Sequence, residues 1–336
     1  MLDEIAANGG ACDTYRLAAM WCRPFQSTPV RHEPILDRFI LRRFQRVSEY
    51  RNKITFAIVS TMPYTNPTLD LQPMGRVKRL LSALVPSAVR LAIQKWRLRR
   101  LNAEFADLPV SEIFTQIYAR ALWGRSSDPL QPHCSGTGSR DCAVVDSYVS
   151  SVRVWLQTFS TPPSVVDIGC GDFEVGSKIR DVCGRYIACD VVAPLILSNS
   201  RRWASYDVDW KVLDASKESP PPANIAFLRQ VLQHLSNDKI ACVLGGLVGR
   251  VDWVVVTEHL PQKPFVSNVD VPTGSGTRLI QGSGVVITDP PFSFQVNQSE
   301  VLADVASAGG RIRTIAYKLP SSLVCGKRNR FVGSLK

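Results

Sequence analysis

The sequence predicts an α/β protein built on an open, mostly parallel seven-stranded sheet with an antiparallel edge hairpin, preceded by a helical amino-terminal cap. Three observations carry this prediction. Strand-like apolar runs and helix-like periods alternate from Ser164 onward. The first apolar run ends in a glycine turn of the kind that lets a backbone approach a ligand at the carboxy ends of parallel strands. The chain has 336 residues, of which 45% are hydrophobic and 21% charged, and its 22 prolines and 21 glycines are scattered, so collagen, coiled coil and wholesale disorder are excluded.

Residues 1–73 read as an extension without chemistry. Ile35, Leu36, Phe39, Ile40, Phe44 and Val47 fall near a helical period, Ile54 to Val59 reads as a strand, and Met62 to Pro73 as a loop. Met74 and the basic residues after it read as a natural start, so the extension is expected to be dispensable. Residues 74–134 form a basic helical cap, with one helix from Val77 to Asn102 interrupted at Pro86 and a second starting at Ser111 as N-cap. Residues 135–336 form the main domain. A helix is expected from Ala143 to Phe159, then strand Val165 to Asp167, helix Glu174 to Cys183, strand Tyr186 to Asp190, helix Ala193 to Ser200 and strand Trp210 to Leu213. The alternation continues with strand Ile225 to Arg229, helix Asn237 to Val248 behind Ser236, and strand Trp253 to Thr257. After a long connection from Leu260 to Val296 come a helix from Gln298 to Ala308 and two final strands, Arg313 to Lys318 and Arg330 to Gly333, that make the edge hairpin.

The net charge of +11 is local. Residues 1–75 hold nine basic and seven acidic groups and residues 101–336 hold 23 and 22, whereas residues 76–100 hold eight basic groups and no acid. A nucleic-acid reader spreads cations over its working face, so nucleic acid is not the expected partner. Leu80, Leu81, Leu84, Val89, Leu91, Ile93 and Trp96 among those cations suit peripheral contact with an anionic membrane. No apolar run approaches the ~18 to 20 residues that span a bilayer, and the amino terminus lacks a secretory pattern, so a cytoplasmic protein is expected, with that segment able to meet the inner membrane surface. Nine cysteines without a CxxC read as reduced small hydrophobes, and four histidines without an HExxH leave little for a dedicated metal site.

The strongest motif is Ser164-Val-Val-Asp167-Ile-Gly169-Cys170-Gly171-Asp-Phe173. A dinucleotide site wants a third glycine where this chain has Glu174, whose carboxylate would face a pyrophosphate. An acid just before the first glycine instead suits a ligand with an ammonium group and no phosphate. Here the sequence resembles the class I S-adenosylmethionine-dependent methyltransferases, whose D/E-x-G-x-G motif is matched by Asp167, Gly169 and Gly171; Phe173 stands where that family often has glycine. The resemblance covers roughly residues 110–336 and implies a Rossmann-like fold that binds S-adenosylmethionine. It implies a cofactor site of Asp167, Gly169, Cys170 and Gly171, then Asp190 and Val191 at the ribose, Asp214 and Ala215 at the adenine, and Arg229 and Gln230 after the fourth strand, although Asn224 replaces the acid often found at that strand's start.

Methyl transfer from a sulfonium is an in-line displacement helped chiefly by positioning, and a base adds ~10²- to 10⁴-fold when the acceptor is a hydroxyl. His234 is the candidate base or acceptor-orienting group, with Glu258 and His259 as a second pair. Arg278 is a candidate partner for an acidic acceptor. Tyr118, Trp123 and the loop Ser135 to Ser139 are expected to close over the acceptor end. The expected reaction is methylation of a hydroxyl on a small molecule or glycan precursor, the alternatives being an amine or carboxylate acceptor, or a cofactor-binding partner protein without turnover. Asp289-Pro-Pro-Phe292 resembles the box with which nucleic-acid amino-methyltransferases grip a flipped base, but it lies two strands too late for that role.

Overall fold

Alternate side chains of a strand face opposite sides of its sheet, and here both sides are apolar, which demands a helix layer on each. The computed structural model describes residues 87–126, 133–262 and 264–320. The helix expected over 35–47, the strand over 54–59, the loop over 62–73, the basic residues Arg76 to Arg79 and the strand over 330–333 lie outside the described residues. The described elements are α1 (Ser87–Phe105), α2 (Val110–Ala119), α3 (Cys142–Leu156), β1 (Val165–Ile168), β2 (Tyr186–Asp190), α4 (Ala193–Arg202), β3 (Asp209–Val212), β4 (Ile225–Arg229), α5 (Asn237–Leu247), β5 (Trp253–Pro261), β6 (Gln298–Ser307) and β7 (Gly310–Lys318).

The seven strands run in the order β3-β2-β1-β4-β5-β7-β6. Neighbours among β1 to β5 are parallel, and β7 is antiparallel to both β5 and β6. Val166, Ile187, Ala226 and Val254 face Ile240, Val243, Leu244 and Leu247 of α5. The intervening positions Val165, Tyr186, Phe227 and Val255 face Val145, Tyr148, Val152 and Trp155 of α3. Strand order reverses beside β1, so the carboxy ends of β1, β2 and β4 open a crevice there. The cap stands over it: Phe105 of α1 packs with Ile113 and Ile117 of α2, and Trp123 lies against them.

Five local expectations need correction. The stretch Glu174 to Cys183 forms two 3₁₀ turns, Gly176–Lys178 and Arg180–Val182, rather than an α-helix. Phe173 takes φ +61°, and its ring lies so close to Gly176 that a Cβ there would stand 2.5 Å away. The chain rises around this ring with i→i+3 bonds such as Lys178 N to Val175 O. Gln298–Ser307 is a strand, not a helix. A bulge between Val301 and Ala303 breaks the alternation, which is why Val301, Leu302 and Val305 mimic a helical period in sequence. The edge hairpin is therefore β6–β7, turned at Gly309 with φ +82°. Strand β5 runs on to Pro261 because β7 pairs with it as far as Pro261 opposite Gly310, which places Glu258 and His259 inside a strand. Lastly, α2 begins behind Pro109, so Ser111 lies within the helix and not at its cap.

Candidate functional site

The glycine turn after β1 is shaped by close approach. Gly169 and Gly171 have φ of +75° and +56°, where a side chain is strained. A Cβ on Gly169 would come within 2.5 Å of Val231 Cγ2, and one on Gly171 would collide with Ser135 Oγ. The turn is held from the second strand: Asp190 Oδ2 accepts from Gly171 N at 3.2 Å and Oδ1 from Val192 N at 3.0 Å. Asn199 of α4, fully buried, donates to Gly171 O at 2.7 Å.

A cleft of about 140 Å³ opens above this turn, roughly ten times the space that one ordered water needs. It is lined by Asp167, Gly169, Cys170 and Gly171 from β1 and its turn, Asp190 and Val191 from β2, Asp214 and Ala215 after β3, and Arg229 and Gln230 at the end of β4. The ten residues expected at a cofactor are thus brought together. Four carboxyl groups (Asp167, Asp172, Asp190, Asp214) and a single guanidinium (Arg229) face the space. Burial pushes Asp167 up to about 7, against a 2.9 Å hydrogen bond from the Tyr186 hydroxyl and the charge of Arg229. Burial likewise pushes Asp190 up to about 6, against the backbone N–H groups of Val192 and Gly171. A positive charge entering the cleft would favour the ionised form of both. Asp214 Oδ1 accepts from the Ser216 hydroxyl at 2.6 Å, and its Oδ2 lies 3.4 Å from Lys217 Nζ.

Arg229 does not reach freely into the cleft. It donates to Gly138 O at 2.6 Å and to Ser139 Oγ at 3.2 Å, and its guanidinium lies 5.0 Å from the ring centre of Tyr148 on α3. Gln230, in the left-handed region at φ +57°, presses its side chain so closely on Gly138 that a Cβ there would overlap the amide. The loop Ser135 to Ser139 is therefore clamped at one end by β4. At the other end, Ser135 N donates to Asp172 Oδ2 at 3.1 Å and Asp172 N donates to Ser135 Oγ at 2.8 Å. The loop lies over the glycine turn, as expected of a segment that closes the site.

On the cap side, Tyr118 and Trp123 line the cleft together with Phe114. His234 also lines it, at the end of a 3₁₀ turn, Leu232–His234, that follows β4. Its Nδ1 lies 3.0 Å from Gly276 O, so in the neutral ring Nδ1 carries the proton and Nε2 the lone pair, 3.3 Å from Gln233 Nε2. Burial brings His234 down to about 4, against the hydrogen bond to Gly276.

Three candidates fall outside the cleft lining. Arg278 has 0% exposure and donates to the carbonyls of Val269, Leu232 and Leu235 and to Asn237 Oδ1, so it has no reach toward an acceptor. Glu258 accepts from Leu232 N at 3.1 Å and is pushed up to about 8 by burial, against the charge of Arg278. Both brace the turn that carries His234. His259 is half-buried among the buried residues of β5, and Ile312 of β7 stands opposite it. The Asp289 box is likewise structural: Asp289 Oδ2 accepts from Ser267 Oγ at 2.7 Å and Phe292 packs on the core.

Sequence reasoning did not single out Asp172, Tyr148 or Ser135 individually. Asp172 had a signal, since it directly follows Gly171 and any acid on that turn faces the crevice. Tyr148 had none, because on an apolar helix face it is indistinguishable from packing.

No family model and no curated protein matches the chain. Among solved structures, the chain is similar to the N-methyltransferase NodS from Bradyrhizobium japonicum WM9 in complex with S-adenosyl-L-homocysteine, at 12% identity over 62% of this chain and 99% of that one, with a TM-score of 0.44. It is similar to magnesium protoporphyrin IX methyltransferase from Synechocystis PCC 6803 with bound SAM, at 13% identity over 64% and 99%, TM-score 0.41. It is similar also to human N-acetylserotonin methyltransferase in complex with SAM, at 15% identity over 65% and 62%, TM-score 0.42.

Proposed function

We propose that this chain is a class I S-adenosylmethionine-dependent methyltransferase acting on a hydroxyl of a small-molecule acceptor. The observation that carries the reading is the convergence of Asp167, the glycine turn, Asp190, Asp214 and Arg229 on one cleft at the point where strand order reverses. The donor set fits the cofactor. Carboxylates only accept hydrogen bonds, and ribose hydroxyls, an adenine amino group and an ammonium group all donate. Four carboxyl groups against one committed guanidinium suit a ligand of net positive charge and oppose a pyrophosphate.

Bound there, S-adenosylmethionine would supply a methyl group carried on a cationic sulfur, with a neutral thioether as the leaving group. The residues of this chain hold and orient. Asp190 is the partner for the ribose hydroxyls, Asp214 for the adenine amino group, and Asp167 for the charged end of the ligand. The clamped loop Ser135 to Ser139 keeps water from the glycine turn. His234 Nε2 holds and orients the acceptor hydroxyl while the Gly276 carbonyl keeps the opposite N–H. Burial, which brings the ring down to about 4, keeps it neutral, and the hydroxyl proton leaves to solvent as the carbon–oxygen bond forms. The competing reading, a cofactor-binding protein without turnover, predicts cofactor affinity with no methylated product from any acceptor.

Calorimetric titration of Asp190→Ala and Gly169→Val with S-adenosylhomocysteine tests the site. Asp190→Ala is expected to weaken binding by about 1 to 3 kcal/mol, the loss of a carboxylate bonded to neutral hydroxyls. Gly169→Val is expected to do more, through its strained φ and the clash with Val231. Unchanged affinity in folded variants would refute the assignment. We also propose that α1 touches an anionic surface: Trp96 is 57% exposed with Arg100 stacked 5.3 Å from its ring, and Lys95, Arg97 and Arg99 are exposed beside it.

A further inference from the structure

The cap-side wall of the cleft is made of rings. Phe114 and Tyr118 lie one turn apart on α2, and both touch Trp123, with ring centres 5.8 Å and 5.3 Å away. Trp123 in turn lies 4.9 Å from the ring of His234, inclined by 45°. This last pair is built before any ligand arrives. Trp123 Nε1 donates to Ser275 O at 3.1 Å and His234 Nδ1 donates to the next carbonyl, Gly276 O, at 3.0 Å. The two rings thus hang from one dipeptide of the long connection. Gly276 lets α1 approach closely, since a Cβ there would stand 2.6 Å from a methyl of Leu98.

The polar capacity of this wall is nearly used up. The indole N–H and His234 Nδ1 are committed to the strap, and the Tyr118 hydroxyl lies 3.4 Å from Ser135 Oγ. His234 Nε2 accepts from Gln233 Nε2 at 3.3 Å, and that amide also reaches Gln230 O at 3.4 Å, so an incoming hydroxyl can take its place on the lone pair. Among the described residues that line the cleft, Arg229 is the one cation, and it is committed to Gly138, Ser139 and Tyr148. A phosphorylated or carboxylate acceptor would therefore meet an excess of carboxyl groups, of which Asp172 is paired with Arg140 at 3.9 Å and Asp214 with Lys217 at 3.4 Å, and a guanidinium whose carbonyl and hydroxyl partners are already in place. A sugar would bring several hydroxyls to a wall that offers them few partners, and each unmet hydroxyl is costly on burial. A flat ring suffers neither penalty and gains offset or edge contacts with the aromatic side chains.

We infer that the acceptor is an uncharged aromatic compound carrying a hydroxyl on its ring, received against Trp123 with that hydroxyl at His234 Nε2. The inference rests on the methyl-transfer reading for its reaction but not for its ring site. The test is calorimetry on the full-length chain with 2-naphthol as the ring probe and UDP-glucose as the sugar-nucleotide control, each with and without saturating S-adenosylhomocysteine. The expected result is binding of 2-naphthol and none of UDP-glucose, with affinity for 2-naphthol lowered at least tenfold by Trp123→Leu and kept within about threefold by Trp123→Phe, while affinity for S-adenosylhomocysteine stays within twofold in both. The phenylalanine variant and Tyr118→Leu decide the matter if Trp123→Leu does not fold. Absence of 2-naphthol binding to the wild type, equal binding by the ring-deleted variants, or preference for UDP-glucose overturns the inference. Ring binding by a wild-type chain that does not take S-adenosylhomocysteine upholds the ring site and removes the methyl-transfer reading instead.

Discussion

Asp167 and Asp190 are carboxyls held out of water, and their folded-state values of about 7 and 6 make the site sensitive to pH near neutrality. A cationic ligand binds their ionised forms, so affinity is expected to rise between about pH 5 and 8, by up to roughly tenfold per unit for each carboxyl while it titrates. Titration calorimetry with S-adenosylmethionine at four pH values checks this; a flat or falling profile would show that these carboxyls do not face the ligand's charge. The same groups act on stability with the opposite sign. Asp167 and Glu258, raised to about 7 and 8, bind protons more tightly folded than unfolded. Their contribution is complete below the ordinary carboxyl range and is lost as pH rises through those values. The melting temperature of the ligand-free chain is therefore expected to fall between pH 6.5 and 9, a window above that in which His234, lowered to about 4, adds its own opposite dependence.

At this scale the ends of β1, β2 and β3 that line the cleft were legible in the sequence, as were Tyr118, Trp123 and His234; that Arg278, Glu258 and His259 lie outside it was not. Asp167, Asp190 and Asp214 end strands, and a strand end in a parallel sheet fixes where a side chain must go. Arg278 and Glu258 carried charge without such a constraint. Their burial beneath the Leu232–His234 turn depends on the path of the long connection, which no local pattern encodes.

Among the elements, β1, β2 and β4 were read almost to the residue because both their faces are apolar and their ends are punctuated. Strand β6 was not. It is an edge strand whose outer positions are exposed, so its residues answer to pairing with β7 rather than to a core, and the bulge at Val301 erased the two-residue period. Cross-strand bonds from Arg311 and Arg313 to Asp304 tie it down. Helix α1 is the other element whose surroundings decide its use. Lys95, Arg97, Arg99, Arg100 and Trp96 are exposed, and each cation near an anionic leaflet contributes ~1 kcal/mol. The full-length chain is expected to co-sediment with vesicles containing anionic lipid at low salt and to be released at high salt, with Arg97→Glu and Arg100→Glu together abolishing the effect. Sedimentation that ignores salt or lipid charge would make α1 simply part of the cap.

For the whole molecule, the residues lining the cleft all lie between Val110 and Val243. A chain starting at Met74 is accordingly expected to bind S-adenosylhomocysteine with unchanged affinity. Aggregation or loss of binding in that chain would mean that the apolar residues Ile35 to Val47 cover part of the core. The order of the sheet was within reach of the sequence because alternating strands and helices, with right-handed crossovers, leave few arrangements. Tyr118 and Trp123 were within reach of the sequence, but the strap that anchors Trp123 beside His234 was not, since it depends on Ser275 and Gly276 meeting side chains more than 40 residues away in the chain.

The central claim is that the cleft is made for a cationic adenosyl ligand and rejects a dinucleotide. Calorimetric titration of the wild-type chain at pH 7.5 with S-adenosylmethionine and, separately, with NAD tests it most directly. The account predicts a single site for S-adenosylmethionine and no detectable heat with NAD; binding of NAD, or no binding of S-adenosylmethionine, would contradict it.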